Sequence, residues 1–394
     1  MSIRPLHLLV IVCAVSALVL VGCGSPKPAG TPTPTVAVTA TVTPSATPAS
    51  PSPASTGSPT SGLMVPTGFR ATSVTFVSPD ESFVLGTAPG FGTLLLHRLH
   101  RDTAWTRLPA PPAPLGRPRT GATSSVWGVR FASPSHGFIF GGRLYETTDG
   151  GLHWVLASAP TGRILSLAVV KGQVLALTAS GSSSARLVRR PLSGGSWSLA
   201  ATLGPPDLAD PTDLISTQAG TAAVLNGSSV VVTTDGGVTL TAHPTPTSTS
   251  WTAGSVAATS STTLALLMVG QGFTGHTEKL VYTSGDAGAT WTKTGKPPTE
   301  GDGGTLAGGD PRNFLLATAS AASWLYHSPK QGFAWTTVLT YGDGGVGWAD
   351  LGFTTPANAV VVHGPADEAG NGDGRPGRLL ESSDGGSSWR TVAF

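Results

Sequence analysis

The side chains able to do chemistry are few. The 394-residue chain has two cysteines, Cys13 and Cys23, and nine histidines. Cys13 lies inside an apolar leader and Cys23 at its end, so cysteine-based zinc sites and thiol catalysis are excluded. The histidines are scattered without a pair at zinc-ligand spacing, and no Ser-His-Asp set can be assembled. Gly-Asp-Gly-Gly at 301–304 and at 342–345 is followed by neither the Lys-Ser/Thr nor the helix of a phosphate loop. The segment Asp367 to Asp373 offers oxygen ligands but departs from the spacing of a calcium loop. No metal and no cofactor is therefore expected. What remains is a set in variable segments: Trp127, Arg163, Trp251, Asp302, Tyr341, Asp343 and Trp348. Aromatic rings and charged groups around a central pocket suit a sugar or a peptide.

Those residues must be positioned by strands. Gly (52) and Pro (33) are abundant and charged residues make up only 11% of the chain, which argues against long helices. One short box recurs. Thr147, Asp149, Gly151 and Trp154 match Ser284, Asp286, Gly288 and Trp291, and again Ser382, Asp384, Gly386 and Trp389. Thr233, Asp235 and Gly237 form a fourth copy, with Leu240 in the Trp slot, and weaker copies end at Trp105, Trp197 and Trp335. The seven slots are 43 to 54 residues apart. Ser-Pro-type turns such as Phe131-Ala132-Ser133-Pro134 precede several boxes and separate β-rich runs. Each unit reads as four strands, and the period predicts blades of a propeller. The fold class is thus all-β: one seven-bladed propeller of four-stranded antiparallel blades over 66–394. In the box, the Asp should accept backbone N–H groups two or three residues on, and the Gly two positions after it should supply a positive φ.

The pattern Ser/Thr-x-Asp-x-Gly-x-x-Trp resembles the Asp box, or bacterial neuraminidase repeat. The longer unit resembles the seven-bladed propellers of photosystem II assembly-factor type. For sialidases the resemblance implies three arginines on a substrate carboxylate, a Tyr nucleophile with a Glu, and an acid. Arg70, Arg163 and Arg312 form no obvious trio, and Tyr341 is the one Tyr placed for a nucleophile. Phe69-Arg70-Ala71-Thr72 matches only half of the sialidase Phe/Tyr-Arg-Ile-Pro signature, and seven blades differ from the six of sialidases. A non-catalytic binding or scaffold module is expected, with an exo-sialidase-like glycoside hydrolase as the alternative. The face of d–a connectors and b–c loops, opposite the boxes, should carry the ligand site.

The N-terminus reads as an address. Arg4 precedes an apolar run from Leu8 to Val21, too short to span a bilayer as a helix. Leu20-Val21-Gly22-Cys23 resembles a bacterial lipobox, which implies a signal peptide over 1–22 and a lipidated Cys23. Residues 23–65 are mostly Pro, Thr, Ser, Ala and Gly, a composition predicting a disordered tether. The expected location is the outer face of a bacterial membrane, held through Cys23, with an envelope protein or glycan as partner. A net charge of +2 implies no nucleic-acid surface, and a monomer is expected.

Overall fold

The computed structural model describes residues 63–394 apart from 117–122, 180–183, 205–214, 219, 247–249, 274 and 367–375. The signal segment, Cys23, most of the linker and the acidic loop 367–373 lie outside the described residues.

Every strand is short, and each set of four consecutive strands makes one antiparallel sheet. Blade 1 holds β1 (Arg70–Phe76), β2 (Ser82–Thr87), β3 (Leu94–Arg98) and β4 (Thr106–Leu108). Blade 2 holds β5 (Val126–Phe131), β6 (Gly137–Gly141), β7 (Leu144–Thr147) and β8 (Val155–Leu156). Blade 3 holds β9 (Arg163–Val170), β10 (Gln173–Ala179), β11 (Ala185–Pro191) and β12 (Ser198–Leu203). Blade 4 holds β13 (Ser216–Gln218), β14 (Thr221–Asn226), β15 (Ser229–Thr233) and β16 (Thr241–Pro244). Blade 5 holds β17 (Thr252–Ala258), β18 (Leu264–Phe273), β19 (His276–Ser284) and β20 (Thr292–Gly295). Blade 6 holds β21 (Asp302–Asp310), β22 (Asn313–Ala319), β23 (Ser323–Ser328) and β24 (Thr336–Tyr341). Blade 7 holds β25 (Trp348–Thr355), β26 (Asn358–His363), β27 (Arg378–Ser382) and β28 (Arg390–Thr391). The chain is the seven-bladed propeller that the repeats predict.

Both faces of each blade are covered, which is why the second strands read as continuous apolar runs rather than alternating ones. Seven apolar cores result, one between each pair of neighbours. Phe83, Leu85 and Leu95 of blade 1 meet Val129 and Ile139 of blade 2, for example. The last core brings Val74 and Leu96 of blade 1 against Val362 and Leu379 of blade 7, closing the ring.

Closure uses no exchanged strand, since all four strands of every blade are consecutive in the chain. Buried Arg98 of blade 1 pairs instead with buried Glu381 of blade 7, which also accepts from Arg390 at 3.0 Å. Backbone bonds from Ala71 N–H to Gly377 O (2.8 Å) and from Ala366 N–H to Ala71 O (3.0 Å) add to the seam. Leu63 bridges Arg107 on β4, so the N-terminal segment pairs with the outer strand of blade 1.

The innermost strands are sheet edges, whose amide groups need partners. Side chains of the preceding blade supply them. Ser73 Oγ accepts from Val129 N–H (3.2 Å), Ser166 Oγ from Ile215 N–H (3.4 Å) and Ser255 Oγ from Leu306 N–H (3.0 Å). A second row uses Thr75 Oγ1 for Phe131 N–H and Ser216 Oγ for Ala258 N–H. Hydroxyl groups thus link neighbouring blades around the channel.

Candidate functional site

The repeated box forms one corner geometry four times. Thr147 Oγ1 donates to Asp149 Oδ1 (2.9 Å) and accepts from Gly151 N–H (2.9 Å). Asp149 Oδ1 accepts from His153 N–H (2.9 Å), and Oδ2 meets the His153 ring at 2.6 Å. Thr239, Thr290 and Ser388 bond Asp235, Asp286 and Asp384 in the same two ways. The Asp reaches the N–H four residues on, and for Asp235 also that of Val238 three on, while the Gly N–H two on is taken by the hydroxyl. Those glycines have φ between +85° and +96°. In each corner both oxygens of the carboxylate are engaged. Hydrogen bonds from the residue four positions on hold all four carboxyls down at about 2: backbone first for Asp149, side chain first for Asp235, Asp286 and Asp384. Blade 6 keeps the hydroxyl bond, Gly332 N–H to Ser328 Oγ at 2.9 Å, with Lys330 in the Asp position. Trp154 and Trp291 donate to carbonyls at the end of the preceding blade, Pro109 just after β4 and Pro244 at the end of β16.

A cavity of about 360 Å³ occupies the channel at the a–b-turn end, lined by inner strands of five blades together with Arg130 of blade 2. Its charged feature is a pair that sequence reasoning missed. Arg130 Nη2 bonds Asp350 Oδ1 at 2.5 Å, and Asp350 Oδ2 accepts from Val74 N–H at 2.7 Å. Asp350 is buried and sits in a bulge at φ +51°, a conformation that Asp tolerates better than most residues. Aligning the inner strands would have exposed it, since Asp350 stands where other blades have Ser73, Ser166 and Ser255.

The residues expected on the connector face divide into two groups. Tyr341, Asp343 and Trp348 come together between blades 6 and 7, around His363. The Tyr341 and His363 rings stack at 4.0 Å and 19°, and Trp348 lies 4.8 Å from His363. Asp343 Oδ2 meets His363 Nε2 at 2.5 Å, while Oδ1 accepts from Ser323 Oγ and from Gly345 N–H. Burial pulls the His363 pKa below the usual imidazole value, against the bond to Asp343. Exposed Arg378, the cross-strand partner of His363, places its guanidinium 5.5 Å from the Tyr341 ring. Neither His363 nor Arg378 stood out in the sequence, for they lie on strands of an otherwise ordinary blade.

The others are apart. Trp127 is buried in the core between blades 2 and 3, and Arg163 begins β9. Half-buried Trp251 packs against Gly270, where a Cβ would lie 2.9 Å from the ring. Exposed Asp302 accepts from Thr277 Oγ1 at 3.1 Å. Beside it is a second missed feature. Buried Lys279 donates to the carbonyls of Thr277, Thr299, Glu300 and Gly301 at 2.7–3.3 Å. Burial pushes its pKa down to about 8, against the pull of Asp302 and Glu300. This cage ties the β18–β19 hairpin to the 299–301 connector, with further bonds from Thr277 N–H to Thr299 O and from Gly301 N–H to Gly275 O. The hairpin tip carries Phe273, 90% exposed.

The sialidase constellation does not assemble from its candidates. Arg70 and Arg163 start the inner strands of blades 1 and 3, whereas Arg312 lies in the β21–β22 turn on the opposite face. Tyr341 lies against His363 and Arg378.

Fold and corners define a seven-bladed propeller with the connector-face cluster as its candidate site. No protein-family model matches the sequence, and no curated protein matches it. Among solved structures, the chain is similar to YCF48 bound to D1 peptide, with 18% identity and a TM-score of 0.51 over 76% of this chain and 91% of that one. A prolyl endopeptidase is similar at 11% identity and a TM-score of 0.50, over 82% of this chain and 50% of that one. YCF48 from Cyanidioschyzon merolae has 16% identity and a TM-score of 0.49, over 82% of this chain and 98% of that one. At these identities the likeness is one of fold.

Proposed function

We propose that the chain is a lipid-anchored, non-catalytic binding module whose connector face docks a protein of the cell envelope. One observation carries this reading: Phe273 stands almost fully exposed on a hairpin that Lys279 braces through four carbonyls. An apolar side chain on a rigid support suits a protein surface, where aromatic anchors dominate binding energy. A glycan site pairs an open ring face with converging polar groups. Here the ring beside polar groups, Tyr341, is stacked against His363, with the Arg378 guanidinium 5.5 Å from it. The uncovered ring, Phe273, stands between Gly272 and Gly275 at a tip. The likeness to YCF48 in complex with D1 peptide supports the choice, as a propeller that takes a peptide. The lipobox-like Cys23 supports the membrane anchor.

The test is photo-crosslinking in cells from a probe at Phe273, compared with one at Ala289 in a corner on the opposite face. A discrete protein adduct from position 273 alone is expected. Equal adducts from both faces, or none from 273, would discard the connector face as the docking surface. Turnover of a fluorogenic sialoside by the purified chain would discard the non-catalytic reading.

A further inference from the structure

The repeat supplies its own control for reading the rim. Between neighbouring blades lies an outer groove lined by the residue one past the Trp slot of the first blade and two past that of the second. Pairing sets these directions. Val155 pairs with Glu146, which bonds Arg190 of blade 3 at 2.6 Å, so Val155 faces blade 3. Leu199 pairs with Val188, a member of the core between blades 2 and 3, so Leu199 faces blade 2.

In the other six grooves at least one of the two positions is Thr, Ser, Lys or Arg, as with Thr292 and Thr337, Thr241 and Lys293, or Arg390 and Arg107. The groove between blades 2 and 3 alone has two large apolar residues. Val155 is 68% exposed and Leu199 60%, with Trp197 half-buried beside them. Lone exposed apolar residues need no account, but a pair at positions that are polar in the sister grooves does.

Two further features mark this groove. The outer strand β12, Ser198-Leu199-Ala200-Ala201-Thr202-Leu203, carries no Lys, Arg or Pro, the usual guards of an open edge, a lack it shares with β8 and β24. Blade 3, residues 163–203, has five Lys or Arg and no Asp or Glu. Arg190 is engaged with Glu146, but Arg186, on the same face of β11 as Val188 and Arg190, is exposed at the connector end of the groove.

We propose that the groove between blades 2 and 3 docks an extended acidic segment of a partner protein. Its main chain would add to the edge of β12, its apolar side chains would cover Val155 and Leu199, and a carboxylate would meet Arg186. Charge complementarity to a blade without acids selects an acidic occupant. The inference rests on the binding-module reading but not on the connector face.

The experiment uses the full chain and two labelled peptides. Each alternates Leu or Val with Thr; one ends in two Asp residues and its twin in two Lys residues. Fluorescence anisotropy should show the Asp peptide binding and the Lys twin binding about tenfold or more weaker. Leu199→Asp should weaken the Asp peptide about tenfold with an unchanged melting temperature, and Arg186→Glu should reverse the preference between the twins. The proposal fails if neither peptide binds at about 1 mM, if both bind alike, or if Leu199→Asp leaves affinity unchanged. It also fails if sedimentation shows a dimer that Leu199→Asp dissolves, since the occupant would then be a second copy. Loss of crosslinks at Phe273 with peptide binding intact would remove the connector face and leave this groove standing.

Discussion

Arg130 of blade 2 bonds Asp350 of blade 7 at 2.5 Å, across blade 1, which lies between them. Asp350 also accepts from Val74 N–H, so one carboxylate joins three blades at the seam.

Asp350→Ala should therefore destabilise the fold by about 3 kcal/mol, because it takes the carboxylate from a partly buried guanidinium, which keeps its bonds to Val129 O and Val74 O, and removes the acceptor of an inner-strand N–H. Arg130→Ala combined with Asp350→Ala should cost less than the two single changes summed. Urea unfolding of the four proteins checks this, and additive costs would contradict the three-blade link.

Asp149→Ala should lower stability by about 1 kcal/mol, since two donors of His153 lose their acceptor. Lys330→Ala, at the same corner position of blade 6, should cost little, because that corner has no carboxylate to lose. Identical melting temperatures for the two variants would show that the carboxylate is dispensable.

Acid should unfasten the corners together. Asp149, Asp235, Asp286 and Asp384 have pKa values near 2 in the fold against 3.8 ordinarily. As pH falls, the unfolded chain binds these protons before the folded one does. The stability they lend is whole above about pH 4 and drains away towards pH 2. A melting curve taken at each pH from 5 to 2 should steepen in that window, and Asp149→Asn with Asp286→Asn should flatten it. A wild-type slope unaltered by the double substitution would place the acid sensitivity elsewhere.

Lys279→Met should cost about 3 kcal/mol, leaving four carbonyls without their shared donor. The pH profile has the same sign as that of the corners but lies in an alkaline window. With a folded pKa lowered to about 8, the unfolded chain holds more protons between about 8 and 10.5, so stability relative to Lys279→Met should rise with pH there. Parallel profiles for the two proteins over that range would refute the shift.

Cys23→Ser should move the protein from the membrane fraction to the soluble fraction without changing its melting temperature. Retention in membranes would count against lipidation at that residue.

The architecture could be read in advance because it is written locally. Asp149, Gly151 and Trp154 span one turn, and their recurrence counts the blades. Tyr341, Asp343 and Trp348 were also within reach, being neighbours on one connector. His363 and Arg378 were not, because they join that cluster from later strands, β26 and β27. Arg130 and Asp350 are 220 residues apart, and only ring closure brings them together. Lys279 did not stand out, since nothing in its flanking residues announces three carbonyls converging from the next connector to join that of Thr277. The aromatic set misled where burial decided the outcome: Trp127 has the composition of a ligand platform and the environment of core.

Because every sheet is built from one uninterrupted stretch, the place where the disc begins is arbitrary. Joining Phe394 to Leu63 by a short linker and cutting the chain at the connector after Leu203 would give a rearranged gene encoding the same seven sheets. The Arg98–Glu381 contact would then lie within the chain's interior, and a different pair of neighbours would become the place where the circle is held shut without a covalent link.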